Sequence, residues 1–226
     1  MIDPLNASSK TPGPKAVFDQ LLLRRQDLAC CRPAVETAFA WMAEAHRNGR
    51  KLLLCGNGGS AADAGHWMGE LVKGFGLPRR LNAKDAAWFL ERSPAGLGIP
   101  LAEKLQYGFR AIDLTAFGSS LTAVSNDNGA DLVFAQLVFA LGQPGDVLVG
   151  ITTSGNSRNV LAALTVARQR GMKAIALTGP GGGKAAGIAD LVIAAPGGDT
   201  PVVQEAHLPI YHTLCLMLEE EFFGGD

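Results

Sequence analysis

Several features are scarce in this 226-residue chain, and each scarcity excludes a class of protein. Opposite charges nearly cancel to a formal net charge of −1, so there is no basic excess for nucleic acid or an anionic membrane. No apolar run approaches the roughly 18 residues that cross a bilayer. The start, MIDPLNASSKTPGP, lacks the basic-then-apolar order of a secretory leader. We therefore expect a soluble, cytoplasmic protein with neither nucleic acid nor membrane as a partner.

Cysteine is also scarce, and its spacing is uninformative for metals. The four residues are Cys30, Cys31, Cys55 and Cys215. Two are adjacent and none has CxxC or zinc-ribbon spacing, which disfavours a disulfide framework and fits a reducing compartment. Hydrophobic residues make up 47% of the chain and charged residues 18%, a composition typical of a globular fold.

Five short apolar runs, separated by helical patterns, predict the fold class. The runs are 51–56, 111–116, 146–152, 173–179 and 190–196. The helical patterns are 16–48, 60–74, 119–141 with a break near 126–129, 157–171 and about 201–223. Pro33 suits the first turn of a helix, so 16–48 is interpreted as two helices. Buried strands alternating with helices predict an α/β fold: a three-layer, doubly wound, five-stranded parallel sheet of flavodoxin-like type with N-terminal helices.

The same patterns predict the domain organisation. Residues 1–14 are polar and contain proline, which indicates a flexible tail. We expect residues 15–226 to form a single domain. The connection at about 75–110 has no strand of its own and is long for such a fold, and its short apolar groups indicate one or two small helices.

The segment CGNGGSAADAGHWMGEL, residues 55–71, predicts a phosphate site. A buried strand ends at Cys55, and a turn containing Asn57, Gly58 and Gly59 leads into a helix near Ser60. Glycines allow close backbone approach to a ligand, and free N–H groups at a helix start attract phosphate. A plain strand-to-helix turn with Ser60 as N-cap explains this segment equally well. The pattern is neither a dinucleotide fingerprint nor a P-loop.

A second loop, ITTSGNSRNV at 151–160, favours the ligand over the plain turn. Thr152, Thr153, Ser154 and Ser157 surround one glycine where another strand meets a helix. A capping role for Ser157 explains one hydroxyl but not four. Parallel sheets bind ligands at the carboxyl ends of their strands, so a sugar phosphate is the expected ligand.

At these loops the chain resembles the sugar isomerase (SIS) family and, within it, the phosphoheptose isomerases. The matching segments lie in order over most of residues 50–220: CGNGGSAADAGHWMGEL, AVSNDNG (123–129), GQPGDVLVGITTSGNSRNV (142–160), GMKAIALTGPGGGKAAGIAD (171–190) and VVQEAHLPIYH (202–212). The resemblance implies an SIS fold and an aldose–ketose isomerase acting through an enediol, with sedoheptulose 7-phosphate and glycero-manno-heptose 7-phosphate as the expected pair. It also implies a homotetramer with active sites at subunit interfaces.

The resemblance also implies roles for individual residues. Glu70 is the general base and His212 the general acid, and zinc is the expected cofactor. The implied zinc ligands are His66, Glu70, Gln204 and His212. The implied substrate-binding residues are Asn57, Gly58, Gly59, Ser60, Glu70, Asn126, Asp127, Thr152, Thr153, Ser154, Ser157 and Gln204.

Helix geometry supports only part of this ligand set. His66 and Glu70 stand four residues apart, so they share one helix face and can bind zinc together, although a surface His–Glu pair has the same spacing. Gln204 and His212 would lie about 12 Å apart along one straight helix. Pro209 between them predicts a kink, or the two residues meet partners from different subunits.

Three departures from the family pattern fall beside the sugar. Gly74 replaces the family's arginine after the catalytic glutamate, and Pro201 replaces an aspartate, with Asp199 close by. The 75–110 connection is longer than in the family. These differences leave the identity of the sugar open, so the substrate need not be a seven-carbon ketose. Two other functions also stay open: a non-catalytic SIS protein that binds a protein partner such as the replication initiator, or a sugar-phosphate sensor. Retention of His212 favours the enzyme.

Overall fold

A computed structural model describes residues 13–225 of the chain. It carries a five-stranded, all-parallel sheet in the order β2-β1-β3-β4-β5, with helices on both faces. The strands are β1 Leu52–Gly56, β2 Ala111–Asp113, β3 Val147–Thr152, β4 Lys173–Thr178 and β5 Leu191–Ala194. The predicted doubly wound α/β fold is confirmed. The predicted tail at 1–14 lies almost wholly outside the described residues.

The helices of the described part follow the sequence patterns closely. They are α1 Pro14–Leu22, α2 Arg32–Arg47, α3 Gly59–Val72, α4 Ala83–Arg92, α5 Gly98–Lys104, α6 Gly118–Asp127, α7 Val133–Leu141, α8 Arg158–Gln169 and α9 Thr200–Phe223. Pro33 stands in the first turn of α2, as predicted. The predicted break after α6 also occurs, at Gly129 with φ +97°. No helix of residues 13–225 is long and apolar enough to cross a membrane.

Alternate residues of the central strands face two separate hydrophobic cores. On one side, Leu52 and Leu54 of β1 pack with residues of α2, α3 and α9. On the other, Leu53 of β1 packs with residues of α7 and α8. All five residues of β1 are buried, as expected for a strand covered on both faces. This two-sided burial explains why the strands read as continuous apolar runs.

Strand β2 is shorter than predicted. The apolar run continues to residue 116, but the strand ends at Asp113 and a 3₁₀ turn covers Leu114–Ala116. The Asp113 carboxylate accepts hydrogen bonds from the backbone N–H of Thr115 at 2.8 Å and from its hydroxyl at 2.9 Å. This side-chain cap offers the backbone an alternative to the sheet ladder and ends the strand.

The 75–110 connection contains α4 and α5, so the expected small helices are present. Its two ends meet in an antiparallel bridge between Arg80 and Gln106. Arg79, the residue before Arg80, is fully buried and donates to the carboxylate of the buried Glu219 at 2.9 Å. Arg79 also donates to the backbone carbonyl oxygens of Glu70 and Leu71. The connection is therefore pinned to the end of α3 and to α9.

Glu219, the ion-pair partner of Arg79, also holds the start of the 75–110 connection. Its carboxylate accepts hydrogen bonds from the backbone N–H groups of Phe75, Gly76 and Leu77 at 2.6–3.0 Å. One buried carboxylate thus satisfies three backbone donors and the Arg79 guanidinium. Removing its charge leaves a buried, unpaired cation.

We expect Glu219→Gln to destabilise the protein by about 3–5 kcal/mol, because it breaks a buried ion pair from one side. Urea unfolding gives this free energy. Glu221→Gln is the matched control on the same helix: Glu221 pairs with Arg47 at the surface, and its loss should cost about 0–1 kcal/mol. Equal effects of the two changes on the free energy of unfolding would contradict the stabilising role of the buried Arg79–Glu219 pair.

His207 ties α9 to the sheet. Its ring is fully buried, and Nε2 lies 3.1 Å from the carbonyl oxygen of Thr178 at the end of β4. Burial lowers the pKa of His207, partly opposed by that hydrogen bond. As the pH falls below the ordinary histidine pKa of about 6.5, His207 becomes protonated in the unfolded chain but stays neutral in the folded protein.

Stability should therefore be full above about pH 6.5 and decline as the pH falls toward the lowered pKa of His207. His207→Gln keeps an N–H donor and should flatten this decline. Urea unfolding at several pH values measures it. A variant with the same pH slope as the parent protein would contradict the assignment.

Candidate active site

The two predicted loops lie side by side at the carboxyl edge of the sheet. Strand β1 pairs directly with β3, with Gly56 opposite Ile151, so the loops that follow them are neighbours. The sheet order reverses between these two strands, which is where doubly wound folds bind ligands. The loops therefore face one common region.

The first loop turns sharply at Gly58, where φ is +55°. The N–H of Ser60 bonds to the Asn57 carbonyl, and the N–H of Ala61 bonds to that of Gly58. Ser60 is buried inside the first turn of α3, and the N-cap position belongs to Gly58, so the capping alternative for Ser60 is wrong. Glycine occupies the cap because a residue with a Cβ is strained at this φ.

The second loop gathers its hydroxyls around Gly155. Thr152 is buried, and its hydroxyl lies 3.0 Å from that of Ser157, while the Ser154 hydroxyl accepts from the N–H of Asn156 at 3.2 Å. Gly155 has φ +66°, and a Cβ there would lie 2.5 Å from the Gly182 carbonyl carbon. Thr153 and Ser154 line a small cavity with Asp199 at the start of α9. The four hydroxyl residues predicted to bind the substrate thus belong to this loop, and the hydroxyls of Thr152 and Ser157 lie within hydrogen-bond distance of each other.

Asn159 joins the two loops and was not expected from the sequence. Its side-chain amide exchanges two hydrogen bonds with Asn57, at 2.8 and 2.9 Å. Its oxygen also accepts from the Val160 N–H at the start of α8. The signal available in the sequence was a second asparagine, two residues after Ser157 in NSRN, but asparagine is common at helix starts for capping alone.

His66, Glu70 and His212 form a compact cluster about two to three turns along α3 from the first loop. Their ligand atoms lie within 4.8 Å of one another. His66 Nε2 is 3.2 Å from Glu70 Oε1, across one turn of α3, and the His66 and His212 rings are 5.0 Å apart. His212 arrives from α9 and also packs against the Phe75 ring at 4.9 Å. Two imidazoles and a carboxylate are a donor set that suits zinc.

Unsatisfied atoms indicate that this cluster receives a further group. Glu70 Oε2 and His212 Nε2 are buried and make no hydrogen bond within the described residues. Lys73 approaches Glu70 Oε2 only to 3.7 Å. Burial, together with the charges of His66 and Arg24 and against that of Glu70, lowers the pKa of His212 and favours its neutral imidazole. A neutral imidazole can accept a proton or bind a metal.

Gln204 lies at the loop end of the cluster rather than within it. A Cβ added to Gly59 would lie 2.8 Å from Gln204 Cδ, so the carboxamide packs on the first residue of α3. Helix α9 runs unbroken through Pro209, which leaves Gln204 about 12 Å along the axis from His212. Gln204 thus borders the first loop, and its role as a zinc ligand stays a prediction.

Asn126 and Asp127 end α6, on the other flank of the first loop. Their exposed side chains hydrogen-bond to each other at 2.8 Å. Ser125, the preceding residue, lines a cavity of about 430 Å³ together with Gly56–Gly58 and Asn159. Asn126 and Asp127 themselves do not line this cavity, and their role in substrate binding stays a prediction.

The two replacements predicted beside the sugar have local causes. The Gly74 N–H donates to Gln106 at 2.9 Å, and a Cβ at Gly74 would lie 2.6 Å from the Leu77 carbonyl oxygen. The packed 75–110 connection therefore excludes any larger residue, including arginine. Pro201 stands in the first turn of α9, and Asp199 caps that helix by accepting from the Val202 N–H at 3.3 Å.

Comparisons with known proteins agree with this arrangement. The family model described as SIS domain matches residues 101–179. Phosphoheptose isomerase from Geotalea daltonii is 43% identical over 192 residues, or 85% of this chain and 86% of the relative. The solved phosphoheptose isomerase GmhA from Neisseria gonorrhoeae has a TM-score of 0.70 and 35% identity, over 91% of this chain and 96% of that one. The phosphoheptose isomerase from Francisella tularensis has a TM-score of 0.69 and 30% identity, over the same shares of each chain.

A parallel sheet with two glycine- and hydroxyl-rich loops at its switch point defines an SIS-type α/β protein. Within this class, the chain is more than 40% identical to phosphoheptose isomerases over most of both chains. The chain belongs to the phosphoheptose isomerase family.

We expect Gly59→Ala to weaken substrate binding at least tenfold, because the new Cβ displaces the Gln204 carboxamide from the first loop. Titration with the sugar phosphate measures the effect. Gly69→Ala is the control on the same helix: a Cβ there meets no atom within 4 Å, and alanine should stabilise the helix slightly. Equal binding by the two variants would contradict the placement of Gln204.

Proposed function

We propose that this chain isomerises sedoheptulose 7-phosphate to glycero-manno-heptose 7-phosphate. The observation that carries the proposal is the cluster of His66, Glu70 and His212 beside two phosphate-type loops, in a chain so similar to phosphoheptose isomerases. The expected anion site is at the start of α3, and His66 and Glu70 lie about two to three turns further along the same helix. That separation suits a substrate with its phosphate at one end and its carbonyl at the other.

The phosphoryl group binds between the loops. The amides of Gly58 and Gly59 stand at the start of α3, where helix N–H groups lack intrahelical acceptors and the helix dipole is positive. Thr152, Ser154 and Ser157 offer hydroxyl donors from the second loop without adding net charge. This neutral donor set explains how a chain with a net charge of −1 binds an anion.

Glu70 and His212 carry the proton transfers. The Glu70 carboxylate removes one proton from C1, next to the C2 carbonyl, and the negative charge moves to the C2 oxygen, which gives the anion of the 1,2-enediol. His212, held neutral by its lowered pKa, accepts the proton of the C1 hydroxyl and delivers it to the C2 oxygen. Glu70 then returns its proton to C2, and the aldehyde forms at C1. No electron leaves or enters the substrate.

A zinc ion fits the same residues. His66, Glu70 and His212 would hold it, and the unsatisfied Glu70 and His212 atoms are the observation in its favour. When bound, zinc polarises a carbonyl and stabilises negative charge on its oxygen. Gln204 is the proposed fourth ligand by family resemblance, and a neighbouring subunit can supply it.

The proposed assembly is a homotetramer with active sites at subunit interfaces. Leu23 is 84% exposed at the end of α1, next to Arg24, whose charge reaches His212. Apolar side chains exposed at the edge of a site are typical of surfaces that another subunit covers. The proposed location is the cytoplasm, because all four cysteines are free thiols.

An NMR time course tests the activity. Sedoheptulose 7-phosphate and a panel of five- and six-carbon ketose phosphates are incubated with the protein, with and without zinc, and we expect the seven-carbon sugar to convert fastest. Glu70→Gln and His212→Ala should each lower the rate about 10²–10⁴-fold, the usual contribution of a general acid or base.

Glu205→Gln is the control, since Glu205 is an exposed carboxylate on the same helix as His212. Its rate should match that of the parent protein. Binding of the sugar phosphate without turnover of any panel member would contradict the isomerase and support a sugar-phosphate sensor.

A further inference from the structure

Tyr211 lies directly behind His66 and contacts it through its hydroxyl group. The phenol oxygen is 3.0 Å from His66 Nδ1 and 3.4 Å from Asp63 Oδ1. Asp63 is one turn before His66 on α3, whereas Tyr211 comes from α9, next to His212. Three groups from two helices therefore form one hydrogen-bonded line that ends at the imidazole.

Packing fixes the position of the Tyr211 hydroxyl. The tyrosine ring is fully buried and stacks on the equally buried Trp67, with ring centroids 5.3 Å apart and an interplanar angle of 17°. Asp63 is only partly exposed, and its second oxygen is buried with no hydrogen bond in the described residues. Because the Tyr211 hydroxyl is held in place, it restricts the orientation of the His66 ring that it contacts.

Two proton orders are possible along this line. The hydroxyl carries one proton, and an ionised Asp63 carboxylate can only accept. If the Tyr211 proton goes to Asp63, the phenol oxygen accepts from His66 Nδ1–H. The Nε2 lone pair then faces Glu70 Oε1 at 3.2 Å. Two acceptors at that distance repel each other unless a cation lies between them.

The opposite proton order predicts a different site. If Tyr211 donates to Nδ1, His66 carries its proton on Nε2 and donates it to Glu70. The pair then satisfies itself and leaves no lone pair for a ligand. Asp63 attracts the hydroxyl proton and favours the first order, whereas Glu70 attracts the Nε2 proton of His66 and favours the second. A cation between Nε2 and the Glu70 carboxylate therefore selects the first order.

We propose that Tyr211, oriented by Asp63, is a positioning residue: with a cation in the cluster, it accepts the Nδ1 proton of His66 and so holds Nε2 as a ligand beside Glu70 and His212. The inference builds on the proposed function, because the same cluster carries the isomerisation. The tautomer and the zinc affinity are both measured without substrate.

The first test is the tautomer of His66. Long-range ¹H–¹⁵N correlation spectra of the protein with and without zinc chloride, labelled at histidine and kept near pH 8, separate the two neutral forms. A His66→Gln spectrum identifies the His66 signals among the four histidines. We expect the Nε2–H form without zinc, because Glu70 accepts that proton, and the Nδ1–H form with zinc. A predominant Nε2–H form in the presence of saturating zinc would overturn the proposal.

The second test is zinc affinity, measured with zinc chloride and a competing chelator. Tyr211→Phe keeps the stacked ring and removes only the hydroxyl, and should lower affinity about 10–100-fold, as for other residues that orient a metal-bound histidine. The same variant should raise the zinc concentration at which His66 changes to the Nδ1–H form. Unchanged affinity would overturn the proposal.

Two further variants make this result specific. Tyr107→Phe removes the only other phenol of the chain, which also bonds to a carboxylate, that of Asp85, and it should change neither readout. Asp63→Asn acts on the other end of the line and should move both readouts in the direction of Tyr211→Phe. It decides the matter if Tyr211→Phe does not fold.

Failure of this inference and failure of the proposed function have different outcomes. A protein that converts no sugar phosphate but shows the Nδ1–H tautomer and the loss of zinc affinity would contradict only the function. A protein that converts sedoheptulose 7-phosphate but keeps His66 in the Nε2–H form with saturating zinc would contradict only the role of Tyr211.

Discussion

The packing of α9 along α3 is the contact on which the site depends. The two helices run in the same direction, with Gln204 against Gly59 at one end and His212 beside His66 at the other. Tyr211 and Trp67 stack between these points, and Glu219 continues the contact to Arg79. Each residue that α9 brings to the site is therefore placed by burial, because the helix cannot shift without opening a core in which most of its inner face is buried.

The same contact divides the site into two parts with different chemistry. At the sheet edge, glycines and hydroxyls provide neutral donors around the ends of β1 and β3. About two to three turns along α3, His66 and the Glu70 carboxylate meet His212 of α9 in a partly buried cluster. An extended sugar phosphate fits this division, since its charged end and its reactive end need opposite kinds of partner. The fold supplies both from one strand–loop–helix unit and one partner helix.

Much of this arrangement could be predicted from local patterns. The strands, their parallel order and both loops follow from buried apolar runs and from glycine and hydroxyl residues at strand ends, and His66 and Glu70 share a face by helical spacing. The pairing of Asn57 with Asn159, the line from Asp63 through Tyr211 and the burial of Arg79 could not be predicted, because each joins residues distant in sequence. The early end of β2 was missed because Asp113 caps a turn that apolar periodicity does not reveal.

The central claim is that one sugar phosphate spans the loops and the cluster. A crystal structure of the Glu70→Gln variant, soaked with sedoheptulose 7-phosphate, tests it most directly. We expect the phosphoryl group to lie within hydrogen-bond distance of residues 58–59 and 152–157. We expect C1 and C2 of the sugar to lie within about 3.5 Å of residue 70 and His212. A phosphoryl group bound away from these two loops, or a carbonyl end pointing away from His212, would contradict it.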